Sequence, residues 1–177
     1  VSHVLVISGS PSATSKTEAV GDHVARRLAE YEWHVGHLRV RTLPAAPLMN
    51  ADVADPAIAE AIQQVSRADG IVLATPTYKA SFSGLLKTFL DLLPRHGFGQ
   101  KTVLPLATGG SLAHLLVLDY ALRPVAHALG ARHVVQSVFL LNQHLVLHED
   151  RPRLLPQSAQ LLDDVIEQFR KSLVSAS

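Results

Sequence analysis

Three stretches of the chain hold residue types that could bind a ligand and support chemistry. In the first, Ser8-Gly-Ser-Pro-Ser-Ala-Thr-Ser-Lys-Thr17, six hydroxyl side chains and a lysine stand between an apolar run and a helical pattern. A helix N-terminus offers unpaired backbone N–H groups and the positive end of its dipole, so this stretch suits an anion such as a phosphate monoester. The same serines and threonines would also serve as ordinary helix caps. A nucleotide-triphosphatase loop is excluded by register: counted from Gly9, it needs glycine where Thr14 stands, and Lys16 comes one residue late. The second stretch, residues 75–84, could frame a flat ring with backbone and aromatic groups. The third, Thr108-Gly-Gly-Ser111, lets a ligand approach the backbone closely. Together they describe a site for something phosphorylated at one end and planar at the other. No Ser-His-Asp arrangement or carboxylate pair falls in these loops, which suits redox chemistry carried by a cofactor ring.

The elements that must position these loops alternate along the chain. Apolar runs at 3–8, 35–40, 70–74, 102–107 and 133–140 read as strands. Helical patterns cover 16–31, 56–67, 84–93, 112–129 and 157–173, with Pro56 as a start and Pro94 as a stop. Near-continuous apolar strands separated by helices predict a parallel sheet covered on both faces. Five strands favour a flavodoxin-like doubly wound α/β fold, in one domain spanning 1–177. Ligands in such sheets bind beyond the carboxyl ends of the strands, at the switch in strand order, where all three stretches fall.

Composition agrees and narrows the classes. The chain has 177 residues and is 47 % hydrophobic, enough for one sizeable core. Sixteen Lys and Arg against fifteen Asp and Glu leave a net charge of +1, which is no nucleic-acid footprint. Cysteine is absent, excluding disulfides, thiol nucleophiles and zinc–cysteine sites. The longest run free of Asp, Glu, Lys and Arg, residues 102–118, makes a poor membrane span. The apolar N-terminal run is too short for a signal peptide. A soluble, cytoplasmic protein without membrane partners is expected. Among the ten histidines, His144 and His148 have i,i+4 spacing, with His133 or His127 as companions, but no recognised zinc motif is completed and no metal is expected.

The motifs Gly9-Ser-Pro-Ser with Ser15-Lys-Thr17, Ala74-Thr-Pro-Thr-Tyr-Lys79, Ser83-Gly84 and Leu86-Lys-Thr-Phe-Leu-Asp-Leu-Leu-Pro94 resemble the NAD(P)H-dependent FMN reductases. Leu104-Pro-Leu-Ala-Thr-Gly-Gly110 and the run from His114 to Pro124 are similar to the SsuE type, which supplies reduced flavin to two-component alkanesulfonate monooxygenases. The resemblance implies a flavin phosphate at Ser10, Ser15, Lys16 and Thr17. It implies an isoalloxazine between Pro76, Thr77, Tyr78 and Lys79 on one side and Thr108, Gly109, Gly110 and Ser111 on the other. It further implies NADPH as hydride donor, FMN as an exchangeable substrate, and no obligatory catalytic acid or base. The alternative is a quinone or azo-compound reductase that retains FMN. A flavodoxin-like electron carrier fits less well, since such carriers are acidic and this chain has a pI near 8.3.

Residues 112–129 add a physical clue. Asp119, Arg123 and His127 share one narrow face, and most of the remainder is apolar. Such a helix needs burial beyond the sheet, through a subunit interface or the C-terminal segment. Pro124 removes a hydrogen bond to the Tyr120 carbonyl and predicts a π-type bulge there. SsuE-type enzymes resemble this, with a tyrosine inserted at a tetramer interface beside the flavin. Tyr120 is the corresponding candidate for flavin exchange in a homo-oligomer, dimer or tetramer.

Overall fold

The computed structural model describes residues 2–148 and 151–175, with the backbone alone for 147, 148, 151–153 and 175. Strands β1 (His3–Ser8), β2 (His34–Arg39), β3 (Gly70–Tyr78), β5 (Thr102–Gly109) and the pair β6 (His133–Val134) and β7 (Val138–Leu141) form one parallel sheet. Their order, β2-β1-β3-β5 and then β6 with β7, is the flavodoxin-like one. The fifth strand is thus two short pieces instead of one run from 133 to 140; the Val135 N–H still donates to the Val103 carbonyl between them.

Alternation along each strand sorts side chains to two faces. Leu5, Ile7, Ile71, Leu73, Val103 and Ala107 pack against α3 (Pro56–Arg67), α4 (Gly84–Leu90) and residues 117–126. Val4, Val6, Val72, Ala74, Leu104 and Leu106 pack against α1 (Lys16–Ala29) and the C-terminal helix α6 (Pro156–Ser175). Both helix starts follow local chemistry: Asp55 caps α3 with Pro56 in its first turn, and Ser83 caps α4. A short helix α2 (Ala45–Met49) stands where Pro44 and Pro47 suggest only a loop; both prolines fit at or near a helix start. Between α6 and β7 runs an antiparallel hairpin, β8 (Leu145–His148) with β9 (Arg151–Leu154).

Two expectations fail locally. The loop after residue 74 is a continuation of β3, folded back through Lys79 and Ala80 to a short antiparallel β4 (Ser81–Phe82). The helix expected over 112–129 is broken into a 3-10 turn at Leu112–His114, a π turn at Leu118–Leu122 and α5 (Arg123–Ala128). Pro124 accounts for the π turn, in which the Arg123 N–H reaches back five residues to the Leu118 carbonyl. Because α6 lies on the opposite face of the sheet, it leaves this region uncovered: Leu112, Leu115, Leu116 and Tyr120 stay exposed, Tyr120 at 77 %. No described helix is long and apolar enough to cross a membrane.

Candidate functional site

The adjacency of β1, β3 and β5 brings the three loops to one end of the sheet. Their backbones are stitched together. The Gly9 N–H donates to the Ala74 carbonyl at 2.9 Å, and the Ser83 hydroxyl donates to the Gly9 carbonyl at 2.5 Å while accepting from the Leu86 N–H. Thr75, fully buried, accepts from the Ser83 N–H at 2.9 Å and donates to the Pro76 carbonyl. Gly9 is glycine for a packing reason: a Cβ there would land on Leu86 and the Ser83 hydroxyl.

Above this seam lies a cavity of about 210 Å³. Of the residues expected at the site, Ser10, Ser15, Lys16, Thr17, Pro76, Thr77, Tyr78, Thr108 and Gly109 line it, joined by Ser12, Thr14 and Asn142. Ser10 and Thr17 are buried, and the Thr17 and Thr108 hydroxyls are bonded at 2.6 Å across the floor. Ser15 caps α1, accepting the Glu18 N–H at 3.1 Å, and the Ala19 N–H begins the helical ladder to the Ser15 carbonyl. The N–H groups of Lys16 and Thr17 therefore lack an intrahelical acceptor at the wall of the cavity. Lys16 donates from Nζ to the Asn142 carbonyl at 2.8 Å, leaving two ammonium protons for a ligand. Unpaired donors, a cation and a helix N-terminus fit a phosphate group. The Thr77 hydroxyl is buried and has no protein partner, a second sign that the ligand supplies polar atoms.

Carboxylates near the cradle are neutralised. Glu18, buried in the first turn of α1, accepts from Arg39 Nε at 2.8 Å and from Arg41 Nε at 2.9 Å. Its charge is thus spent on β2 and the turn after it instead of opposing an anion.

Lys79, Gly110 and Ser111 do not line the cavity. Lys79 stands at the tip of the β3–β4 hairpin, where it and Ala80 have φ of 49° and 62°. Two non-glycine residues in the left-handed region hold about 1 kcal/mol or more of strain each, as functional loops often do. Gly110 and Ser111 follow the end of β5 on the exposed side, and the Ser111 hydroxyl accepts the Ala113 N–H to start the 3-10 turn. With exposed Tyr78 they make a ledge beside the cavity, and the π turn carrying Tyr120 packs against β4 and the end of β5. Tyr120 itself is outside the cavity lining. A larger cavity, about 630 Å³, opens between α3 and residues 94–101 at the other end of the sheet, away from all three loops. No described cluster of His, Asp or Glu could hold a metal.

Asn142 was not foreseeable, because it enters through its backbone carbonyl. Ser12 and Thr14 lay within the hydroxyl-rich stretch without any feature to single them out.

Comparisons with known proteins converge. Residues 2–145 match the family described as NADPH-dependent FMN reductase. The chain is 38 % identical to the FMN reductase (NADPH) of Escherichia coli, with 96 % of this chain and 89 % of that protein covered. It is 41 % identical to the FMN reductase (NADPH) of Pseudomonas putida, with 96 % and 87 % covered. Its structure is similar to the apo crystal structure of an NADH:FMN oxidoreductase, EMOB, with a TM-score of 0.90, 42 % identity, and 97 % and 90 % covered.

Proposed function

Because the chain belongs to the NADPH-dependent FMN reductase family, we propose that its cradle holds the phosphate of FMN and its ledge carries the flavin ring. The protein is an NAD(P)H-dependent flavin oxidoreductase, and its substrates are FMN and a reduced nicotinamide nucleotide. When flavin is bound, its ring supplies the redox chemistry by accepting a hydride from the nicotinamide. The chain's own task is to bind and orient. The Lys16 and Thr17 N–H groups, the Lys16 ammonium and the Ser10 hydroxyl take the phosphate. Pro76, Thr77, Tyr78 and Lys79 flank the ring on one side, and Thr108, Gly109, Gly110 and Ser111 on the other.

The size of the cavity carries the reading of FMN as an exchangeable substrate. At about 210 Å³ it is smaller than the roughly 300 Å³ at which enclosed small-molecule sites begin. Its hydroxyl-rich side suits the phosphate, and the ring extends past Pro76, Thr77 and Gly109 onto the open ledge, free to leave after reduction. The exposed side chains of Leu112, Leu115, Leu116 and Tyr120 border that ledge and close on a second copy of the chain, in a dimer or tetramer. Tyr120, on its π turn, would govern flavin exchange there. Reduced flavin then passes to a separate monooxygenase of the alkanesulfonate type, in the cytoplasm. NADPH is the proposed donor, following the names of the two enzyme relatives.

The test is NADPH oxidation by extensively dialysed protein, with and without added FMN. Negligible oxidation alone, saturating with FMN, is expected for an exchangeable flavin. A high rate without added flavin that rises only with a quinone or azo acceptor would instead establish an FMN-retaining reductase. Adding an alkanesulfonate monooxygenase and a sulfonate should then yield sulfite in step with NADPH consumption.

A further inference from the structure

Beneath α1, on the face of the sheet away from the ledge, Ser8, His37 and Asp22 form a chain of side chains. Ser8 is the last residue of β1 and 1 % exposed; its hydroxyl is in close hydrogen-bond contact with His37 Nε2. His37, on the edge strand β2, meets Asp22 of α1 through Nδ1 at 2.7 Å. An ionised carboxylate only accepts, so Nδ1 carries the proton; neutral Nε2 then accepts, and Ser8 donates. Burial holds the imidazole below its ordinary range, against the opposing pull of Asp22, so the ring is neutral near pH 7. Arg39 adds a bond to Asp22 at 2.6 Å and one to Glu18, which completes the groups facing the ring from α1 and β2.

The order of residues is that of a hydrolytic triad, but the setting is not. Ser8 is enclosed under the helix, and Gly21 above it leaves no room: a Cβ there would lie 2.9 Å from the imidazole. No acyl group could reach the hydroxyl. What the chain of bonds does join are the two walls of the phosphate cradle. Ser8 leads through Gly9 to Ser10, which lines the cavity two residues beyond the strand end. Asp22 lies on the helix whose first turn presents Lys16 and Thr17.

We propose that Ser8, His37 and Asp22 are positioning residues that hold the β1 loop and the N-terminus of α1 in register for the phosphate of FMN. This rests on the cradle being the phosphate site. Recognition by backbone N–H groups and short hydroxyls depends on their spacing, so slack between the walls weakens phosphate binding selectively. The ring is carried by β3, β5 and their loops, which are bonded to the cradle through the Thr17–Thr108 pair and the Gly9 seam, so its binding should respond far less to the relay.

The experiment compares KM for FMN and riboflavin, which lacks the phosphate, in the native enzyme and in Ser8→Ala and His37→Asn. The native enzyme should favour FMN. Both variants should raise KM for FMN roughly tenfold and leave KM for riboflavin and kcat within about twofold, a loss of binding without loss of chemistry. Equal shifts for both flavins, or an unchanged KM for FMN, would overturn the relay. A native enzyme that does not distinguish the two flavins would instead overturn the assignment of the cradle. Should the variants fold poorly, inorganic phosphate titrated into native protein with 15N-labelled histidine decides the matter. The His37 signals should report a proton on Nδ1 and should shift as the site fills; static signals would refute the proposal.

Discussion

The two ends of the site are built in opposite ways. The cradle is made of short side chains on the β1 loop and the first turn of α1, with Ser10 and Thr17 buried, Ser15 spent on a cap and Thr17 tied to Thr108. The ledge is made of a strained hairpin, Gly110 with Ser111, and a broken helix whose large apolar side chains face outward. One end is closed by bonds within the chain; the other leaves large apolar side chains exposed. A phosphate needs fixed donors, and fixing them demands a closed hydrogen-bonded frame. A ring that must arrive, receive a hydride from a second nucleotide and depart needs an open face. On the proposed reading, the difference puts affinity at the cradle and exchange at the ledge.

Gly9→Ala should break the cradle most severely. Its Cβ meets the Cα and Cβ of Leu86 as well as the Ser83 hydroxyl, so α4 must move and the stitch between the β1 and β3 loops must open. A loss of about 3 kcal/mol is expected from such overpacking. Denaturant unfolding should register it together with a higher KM for FMN. The corresponding break at the ledge is Leu116→Glu, which places a charge in the exposed apolar border. It should weaken self-association by about 2 kcal/mol, roughly thirtyfold, while leaving the monomer's unfolding unchanged. Sedimentation velocity measures the first and denaturant unfolding of the separated monomer the second. A variant that assembles normally would remove the ledge from the interface.

Thr17→Val is a finer cut. It keeps the volume but leaves the buried Thr108 hydroxyl without its partner, an expected cost of about 1–2 kcal/mol. Thr108→Val on the same background should recover part of it, since neither hydroxyl then lacks a bond. Thermal unfolding of the two single variants and the double variant closes the cycle.

The same division runs through what the sequence made legible. The cradle side was readable because it obeys local rules: an apolar strand runs into a hydroxyl-rich stretch whose Ser15 caps the helix that follows. The ledge side was not. A two-residue hairpin turn ordinarily announces itself by Asn-Gly or Asp-Gly, and Lys79-Ala80 carries no such sign. Pro124 did announce the π turn, yet nothing in residues 112–117 revealed that the helix would begin as a 3-10 turn and run exposed. The relay from Ser8 to Asp22 joins residues on β1, β2 and α1, and long-range register is what a linear pattern does not display. The Asn142 carbonyl is invisible for a further reason, since any residue could supply it.

Acid should separate the two ends, with the smallest effect of the set. His37 and His23, both on the α1 side, are held below the ordinary imidazole value of about 6.5, in each case chiefly by burial. For His23 the Asp163 carboxylate partly offsets this, and Arg26 and Arg27 reinforce it. The unfolded chain takes up a proton near pH 6.5 that the folded one refuses, so stability is full above that pH and declines as pH falls through it. His114, beside the ledge, is exposed. Between pH 7 and 5 the melting temperature should fall, and His23→Gln should make that fall shallower by about 2 °C. Amide exchange should show the first acid loosening in α1 and its N-terminal turn, with residues 112–122 changing no faster than at neutral pH. Earlier loosening at the ledge would mean that the open end, and not the buried histidines, sets the acid limit of the fold.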